Sequence, residues 1–239
     1  MTSETKRIPW LRVLVEGVVI VSSILLAFAI DAWWDGRRDQ MERVELLEAL
    51  VGDFGAARAI LADRIEREAE LEGRTRALLA ASGRRTHLPA DSIQYLAFAL
   101  VTGAGGNVAP SVPRYDAAVA SGRLGMISDD SLLVALGSFD LARRNHVALV
   151  ERLRERFYSG GLDDLRRELG TLAVLNPVAA RSEPPDRFVP DDLNELIQRR
   201  LVYATAEAVL ASRVNLRALL EAMDRASERV LTAIHMLRE

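Results

Sequence analysis

The sequence predicts an all-α protein: one N-terminal transmembrane helix continuing into an antiparallel helical bundle with two long amphipathic helices. Three observations predict it. The run Val13 to Ile30 holds eighteen residues and a single charge, Glu16. At 1.5 Å per residue that run extends ~27 Å, close to the ~30 Å hydrocarbon thickness of a bilayer. Two other stretches, one following the span and one ending the chain, space apolar residues three and four apart without an internal proline. Nothing alternates with period two for long enough to argue for a strand. Aromatics make up only 5% of the residues, so the core is expected to be aliphatic, which suits helices better than sheets.

The implied organisation is a short tail over 1–12, a transmembrane helix over 13–34 and an extramembrane helical domain over 35–239. Trp10 precedes the span, and Trp33 and Trp34 follow it. These are the only tryptophans, and they are assigned as interfacial anchors because tryptophan concentrates at membrane–water boundaries. Ala27-Phe28-Ala29 fits a small-x-small cleavage pattern. The apolar run is long for a signal core and contains Glu16, so an uncleaved anchor is expected instead. Lys6, Arg7 and Arg12 lie before the span and Arg37, Arg38 and Arg43 after it. A short basic tail usually stays in the cytoplasm, which puts the main domain in the periplasm.

Beyond the span, Val44, Leu47, Val51, Phe54, Arg58, Leu61 and Ile65 form a coiled-coil-like seam, with Glu42, Glu45, Glu48, Arg64, Glu66, Arg67 and Glu68 on other faces. This stalk is expected to run to about Ala81 and to end at Ser82-Gly83, with Gly83 as a left-handed cap. Asp91 to Val101 reads as a short helix, and the glycines and prolines from Gly103 to Pro113 as a loop. Tyr115 to Ala120 is a short helix. Ser128-Asp129-Asp130 then caps a helix running to about Tyr158. Leu162 to Leu175 is a further helix, and 177–190, with four prolines, is a surface loop. Asp191-Asp192 opens a last helix that meets no glycine or proline through Glu239. Its seam is Leu216, Leu220, Met223, Ser227, Val230, Ile234 and Leu237.

Composition excludes several functions. With no cysteine there is no disulfide, thiolate nucleophile or zinc–sulfur site. A net charge of −3 gives no basic field for nucleic acid. His87, His146 and His235 are far apart, and none has a histidine three or four residues away, so no metal is expected. The loop Gly103-Ala104-Gly105-Gly106-Asn107 lacks the Gly-Lys-Ser/Thr ending of a phosphate cradle, and there is no Gly-x-Ser-x-Gly elbow. Asp129-Asp130, Asp163-Asp164 and Asp191-Asp192 all fall at helix starts, where carboxylates cap free N–H groups. Arg143, Arg144, Arg152, Arg154 and Arg156, interleaved with Glu151 and Glu155, read as a solvated face. Neither a catalytic constellation nor a cofactor is expected.

Two features exceed that background. At 100° per residue, Glu16, Ser23, Ala27 and Trp34 fall within ~20° of one line along the membrane helix, and Asp31 falls ~60° from it. A carboxylate in hydrocarbon faces a partner or water, and small residues beside it allow close helix approach, so this stripe is a candidate membrane-helix interface. The second feature is a helical turn carried by Tyr115, Ser121, Gly122, Leu124 and Ile127. Gly122 supplies a left-handed cap, Leu124 packs back, and Ile127 leads into the next N-cap.

The segment GVVI…LLAFAIDAWWDGRRD, the helix LLEALVGDF and the Tyr-x5-Ser-Gly-x-Leu-x-x-Ile turn together resemble a family of uncharacterised bacterial single-span membrane proteins. The resemblance covers residues 13 to about 136. The doubled Trp33-Trp34 and Ser22-Ser23 depart from the family's pattern. It implies an anchor plus a helical domain in the bacterial inner membrane, with no assigned activity. The expected function is a non-catalytic structural or accessory subunit of a larger membrane protein complex. Its partners would be other membrane proteins, or further copies of the chain, met through the membrane helix and the domain, together with the lipid bilayer. The alternative is a membrane-anchored ligand sensor acting through a partner transmitter.

Overall fold

The computed structural model describes residues 10–101, 109–156 and 193–238. Every regular element among them is helical. Helix α1 spans Trp10–Arg84 without a break, 75 residues, a length of about 110 Å. It is followed by α2 (Ala90–Val101), α3 (Pro113–Ala120), a 3-10 turn (Arg123–Met126), α4 (Asp130–Arg156), α5 (Leu193–Ile197) and α6 (Arg200–Met236). Gly36 sits inside α1 and does not interrupt it.

Only the part of α1 after about Leu46 is covered by the rest of the chain. There α6 lies along it, and α2 and α3 pack against its sides, while α4 packs on α6. The expected seam on α6 is buried from Leu216 to Ile234, with Leu237 partly so. On α1 the seam is shifted. Leu47, Phe54 and Leu61 are buried as expected, but Leu46, Leu50 and Ala57 join them, and Val44 is exposed. The buried strip is broader than a two-helix seam because α3 and α6 flank α1 on different sides.

The aliphatic core expected from composition has an aromatic centre. Phe54, Tyr115 and Phe139, from α1, α3 and α4, meet edge to face with ring centroids 4.9–6.3 Å apart. A second cluster, including Leu78, Ile93, Leu100, Leu153, Ile197 and Val209, fills the far end of α1.

Polar contacts fix the register between the long helices. Glu48, Arg58 and Glu68 of α1 pair with Arg238, Asp224 and Arg213 in that order, so the two helices run in opposite directions. Glu68 was expected on a face away from the seam. Instead it is buried, and its carboxylate accepts from Arg213 Nη1 at 2.9 Å. Arg213 Nη2 donates to the Ala99 carbonyl at 2.6 Å, which adds α2 to the joint. Burial lowers the Arg213 pKa, against the pull of Glu68. One turn along, Glu72 accepts from Arg76 and Arg217. Burial opposes its charge, but those two hydrogen bonds outweigh that and hold its pKa below the ordinary carboxylate value.

Side chains also set the helix ends. Asp53 of α1 accepts from the backbone N–H groups of Arg114 and Tyr115 at 2.7 and 3.0 Å, so one helix caps another. Asp129 caps α4 through the Leu132 N–H at 2.7 Å, as expected of that acidic pair. The pairs at 163–164 and 191–192 lie outside the described residues, as do the helix expected over 162–175 and the loop over 177–190.

Two helix ends differ from expectation. Gly83 is helical, and the left-handed residue is Arg85, at φ 52°. The Thr86 N–H reaches the Ala81 carbonyl and the Arg85 N–H reaches Ser82, the paired bonds of a Schellman end. The helix runs on because Ser82 is held in it: its buried hydroxyl donates to the Ile197 carbonyl at 2.6 Å. The long last helix is divided at Gln198-Arg199, where Arg199 is extended (φ −63°, ψ 137°). No glycine or proline marks this break. Tertiary bonds hold α5 apart: Asn194 accepts from the Leu88 N–H and donates to its carbonyl, and Ile197 takes the Ser82 hydroxyl.

Glu68→Gln leaves Arg213 buried without its counter-charge. It should cost about 3–5 kcal/mol, whereas Glu68→Leu combined with Arg213→Met should recover most of that loss. Urea-unfolding midpoints of the three proteins measure both effects, and equal losses in the single and double variants would contradict the assignment. Arg85→Gly relieves a left-handed arginine and should raise stability by about 1 kcal/mol. A fall in the thermal midpoint would show that Arg85 is held there by contacts of its own.

Candidate functional site

α1 carries one surface that the rest of the fold leaves open. In the part of the domain nearest the span, its buried residues Leu50, Phe54, Ala57 and Leu61 lie between ~140° and ~200° around the helix from Glu16. The line through Glu16, Ser23, Ala27 and Trp34 therefore lies on the side of α1 opposite that part of the core. All four are exposed, as is Asp31. An 18-residue window here has a mean hydropathy of 1.9 and is 0% buried within the fold. Among the described residues this is one helix long and apolar enough to cross a membrane, judged by length and composition.

Local contacts refine the stripe. The Ser23 hydroxyl donates to the Val19 carbonyl at 2.8 Å, so its polar group is satisfied within its own helix and the residue presents a small surface. Trp33 and Trp34 meet edge to face at 5.1 Å, and the Arg37 guanidinium lies 5.8 Å over the Trp33 ring. That places a cation and two indoles in one collar at the end of the apolar run. Trp10 begins α1, but its side chain lies outside the described ones, as do Lys6 and Arg7.

The line does not stop at Trp34. Met41 falls ~20° from it on a straight helix. Met41 is 57% exposed. With Arg37, Gln40, Val44, Glu45 and Glu48 it lines an open groove of about 480 Å³. Between Trp34 and Leu46 the helix is largely bare, a neck of about 18 Å. The sequence reading ended the stripe at the tryptophans. Continuing the same 100° step would have found Met41, an apolar residue in a charged stretch.

The turn motif lies elsewhere, at the end of the domain nearest the neck. Gly122 is left-handed at φ 74° and ψ 5°, as expected. Ile127 is buried, Leu124 packs against the core, and the Ser121 hydroxyl donates to the Ala117 carbonyl. Tyr115 is buried in the aromatic centre, and that burial raises its phenol pKa. These residues hold α3 to α4. Tyr115, Leu124 and Ile127 face the core while Ser121 and Gly122 form the exposed turn, and the motif is not joined to the stripe. Beside it, Gly125 and Met126 line a recess with Asp39, Gln40, Glu42 and Arg43 of the neck.

The basic run on α4 is less free than expected. Arg143 reaches Asp116 of α3 at 2.7 Å and Asp140 at 3.1 Å, whereas Arg144 and Arg154 make the local pairs expected of a solvated face. His87 lies 3.4 Å from Asn194, and His146 is wholly buried. Among the described residues no group of three or more His, Asp or Glu is placed to hold a metal. No protein-family model matches the chain, and neither a curated protein nor a solved structure matches it.

Proposed function

We propose that the protein is a membrane-anchored, non-catalytic accessory subunit of a larger membrane protein complex. The proposal places the apolar part of α1 across the bacterial inner membrane, with the N-terminus cytoplasmic and the helical domain in the periplasm. The observation that carries this reading is the bare apolar segment: nothing in the described chain covers it, and an apolar surface of this length suits lipid or another protein. The stripe supplies the protein-facing side. A carboxylate at Glu16 beside the small Ser23 and Ala27 suits a neighbouring helix better than it suits lipid tails. Trp33, Trp34 and Arg37 supply the interfacial collar. The resemblance over residues 13 to about 136 to uncharacterised bacterial single-span proteins fits the same reading.

Orientation is tested by fusing a reporter enzyme active only in the periplasm after Glu239. The expected result is activity; a silent periplasmic fusion beside an active cytoplasmic one reverses the topology. The interface is tested by Ala27→Leu, which wedges a large side chain into the stripe. Phe28→Leu is its control, well off the line and already large. Overpacking of about 1–3 kcal/mol should weaken association about fivefold to a hundredfold for Ala27→Leu alone. Cross-linked or co-purifying partner is measured at equal membrane expression. Equal recovery from both variants would assign the stripe to lipid.

A further inference from the structure

His146 lies on α4 with no solvent exposure, and neither ring nitrogen has a hydrogen-bond partner among the described residues. A buried polar ring with both nitrogens unpaired is costly, and packing alone would be better served by an aliphatic residue. The charge that acts on it comes from Arg64 of α1, whose own Nη1 is buried without a partner. On α6 the pairs Arg58–Asp224 and Glu68–Arg213 bracket the Arg64 level of α1, with Arg217 and Glu221 between them along α6. Those two are bonded to each other at 2.8 Å, and Arg217 also holds Glu72. On α4 itself, Asp140 is taken by Arg143 and Arg144. A charged imidazole at this place would meet the Arg64 cation, while Asp140 and Glu221 are held by arginines.

We propose that His146 is a proton-sensitive latch within the domain: the neutral ring lets α4 seat against α6 and the Arg64 side of α1, and in mild acid the charged ring leaves that seat and α4 loosens. Burial first, and Arg64 second, hold the imidazole pKa below its ordinary value. A histidine depressed in this way contributes stability that is complete above the unfolded-state pKa of ~6.5 and is lost as pH falls below it. The domain would thereby respond to acidity in whatever compartment it faces, a property separate from anchoring.

The test uses the full chain in detergent micelles. Amide exchange across 130–156, corrected for intrinsic rates, is compared between pH 7.5 and pH 5.5. Acceleration approaching tenfold per pH unit below ~6.5 is expected, the limit for one linked proton. His146→Leu should abolish it, Arg64→Met should shrink it, and His87→Gln and His235→Gln should leave it intact. The wild-type ring signal of His146 gives a reading that needs no variant: the ring should remain neutral below the ordinary imidazole value of ~6.5. Undiminished acceleration in His146→Leu, no acceleration in the wild type, or an ordinary His146 titration would each overturn the latch. If His146→Leu does not fold, the wild-type titration and Arg64→Met decide.

Discussion

The fold depends on a guanidinium taken out of water. Arg213 sits between α1 and α6 with Glu68 on one side and the Ala99 carbonyl on the other, so three helices share its donors. Two long helices with aliphatic seams can slide by a turn and still bury leucines. They cannot slide by a turn and leave Arg213 without Glu68, because an uncompensated buried charge costs several kcal/mol. The pair therefore acts less as a source of net stability than as a condition on alignment. Glu72 with Arg217, and Arg58 with Asp224, repeat the condition at neighbouring levels where solvent weakens it.

With that alignment set, the rest follows from geometry. Holding α6 against the far side of α1 brings Asp53 under the start of α3 and Phe54 between Tyr115 and Phe139. On a straight helix the same arrangement puts the Glu16–Met41 line on the side of α1 opposite Leu50, Phe54 and Leu61.

The sequence revealed those features that repeat along a helix or sit at a local turn. The seam from Leu216 to Ile234, the left-handed Gly122 and the Asp129 cap are all set by neighbours within a few residues, and each was legible. What escaped notice was long-range. Glu68 looks like any exposed glutamate until Arg213, far along the chain, is placed beside it. The break at Gln198-Arg199 has no local breaker, because the bonds of Asn194 and Ile197 to the end of α1 impose it. Gly83 was the natural cap, yet Ser82 is tied into the helix and the turn falls on Arg85. The angular alignment of Glu16 to Trp34 could be read from sequence spacing, whereas the broader buried strip of α1 beyond Leu46 needed the positions of α3 and α6.

An unbroken α1 also has a mechanical meaning. From Leu25, in the middle of the apolar run, to Arg84 is about 90 Å of continuous helix, with no proline or π-bulge to bend it. Such a rod is a lever. A change of about 10° in the tilt of its apolar end sweeps the far end through roughly 15 Å, and tilts of that order are ordinary for helices in bilayers. Rotation about the axis is carried in the same way, turning the whole domain like a flag on a pole. A neighbour gripping the narrow stripe between Glu16 and Trp34 would therefore steer the position of a domain many times its own contact width away.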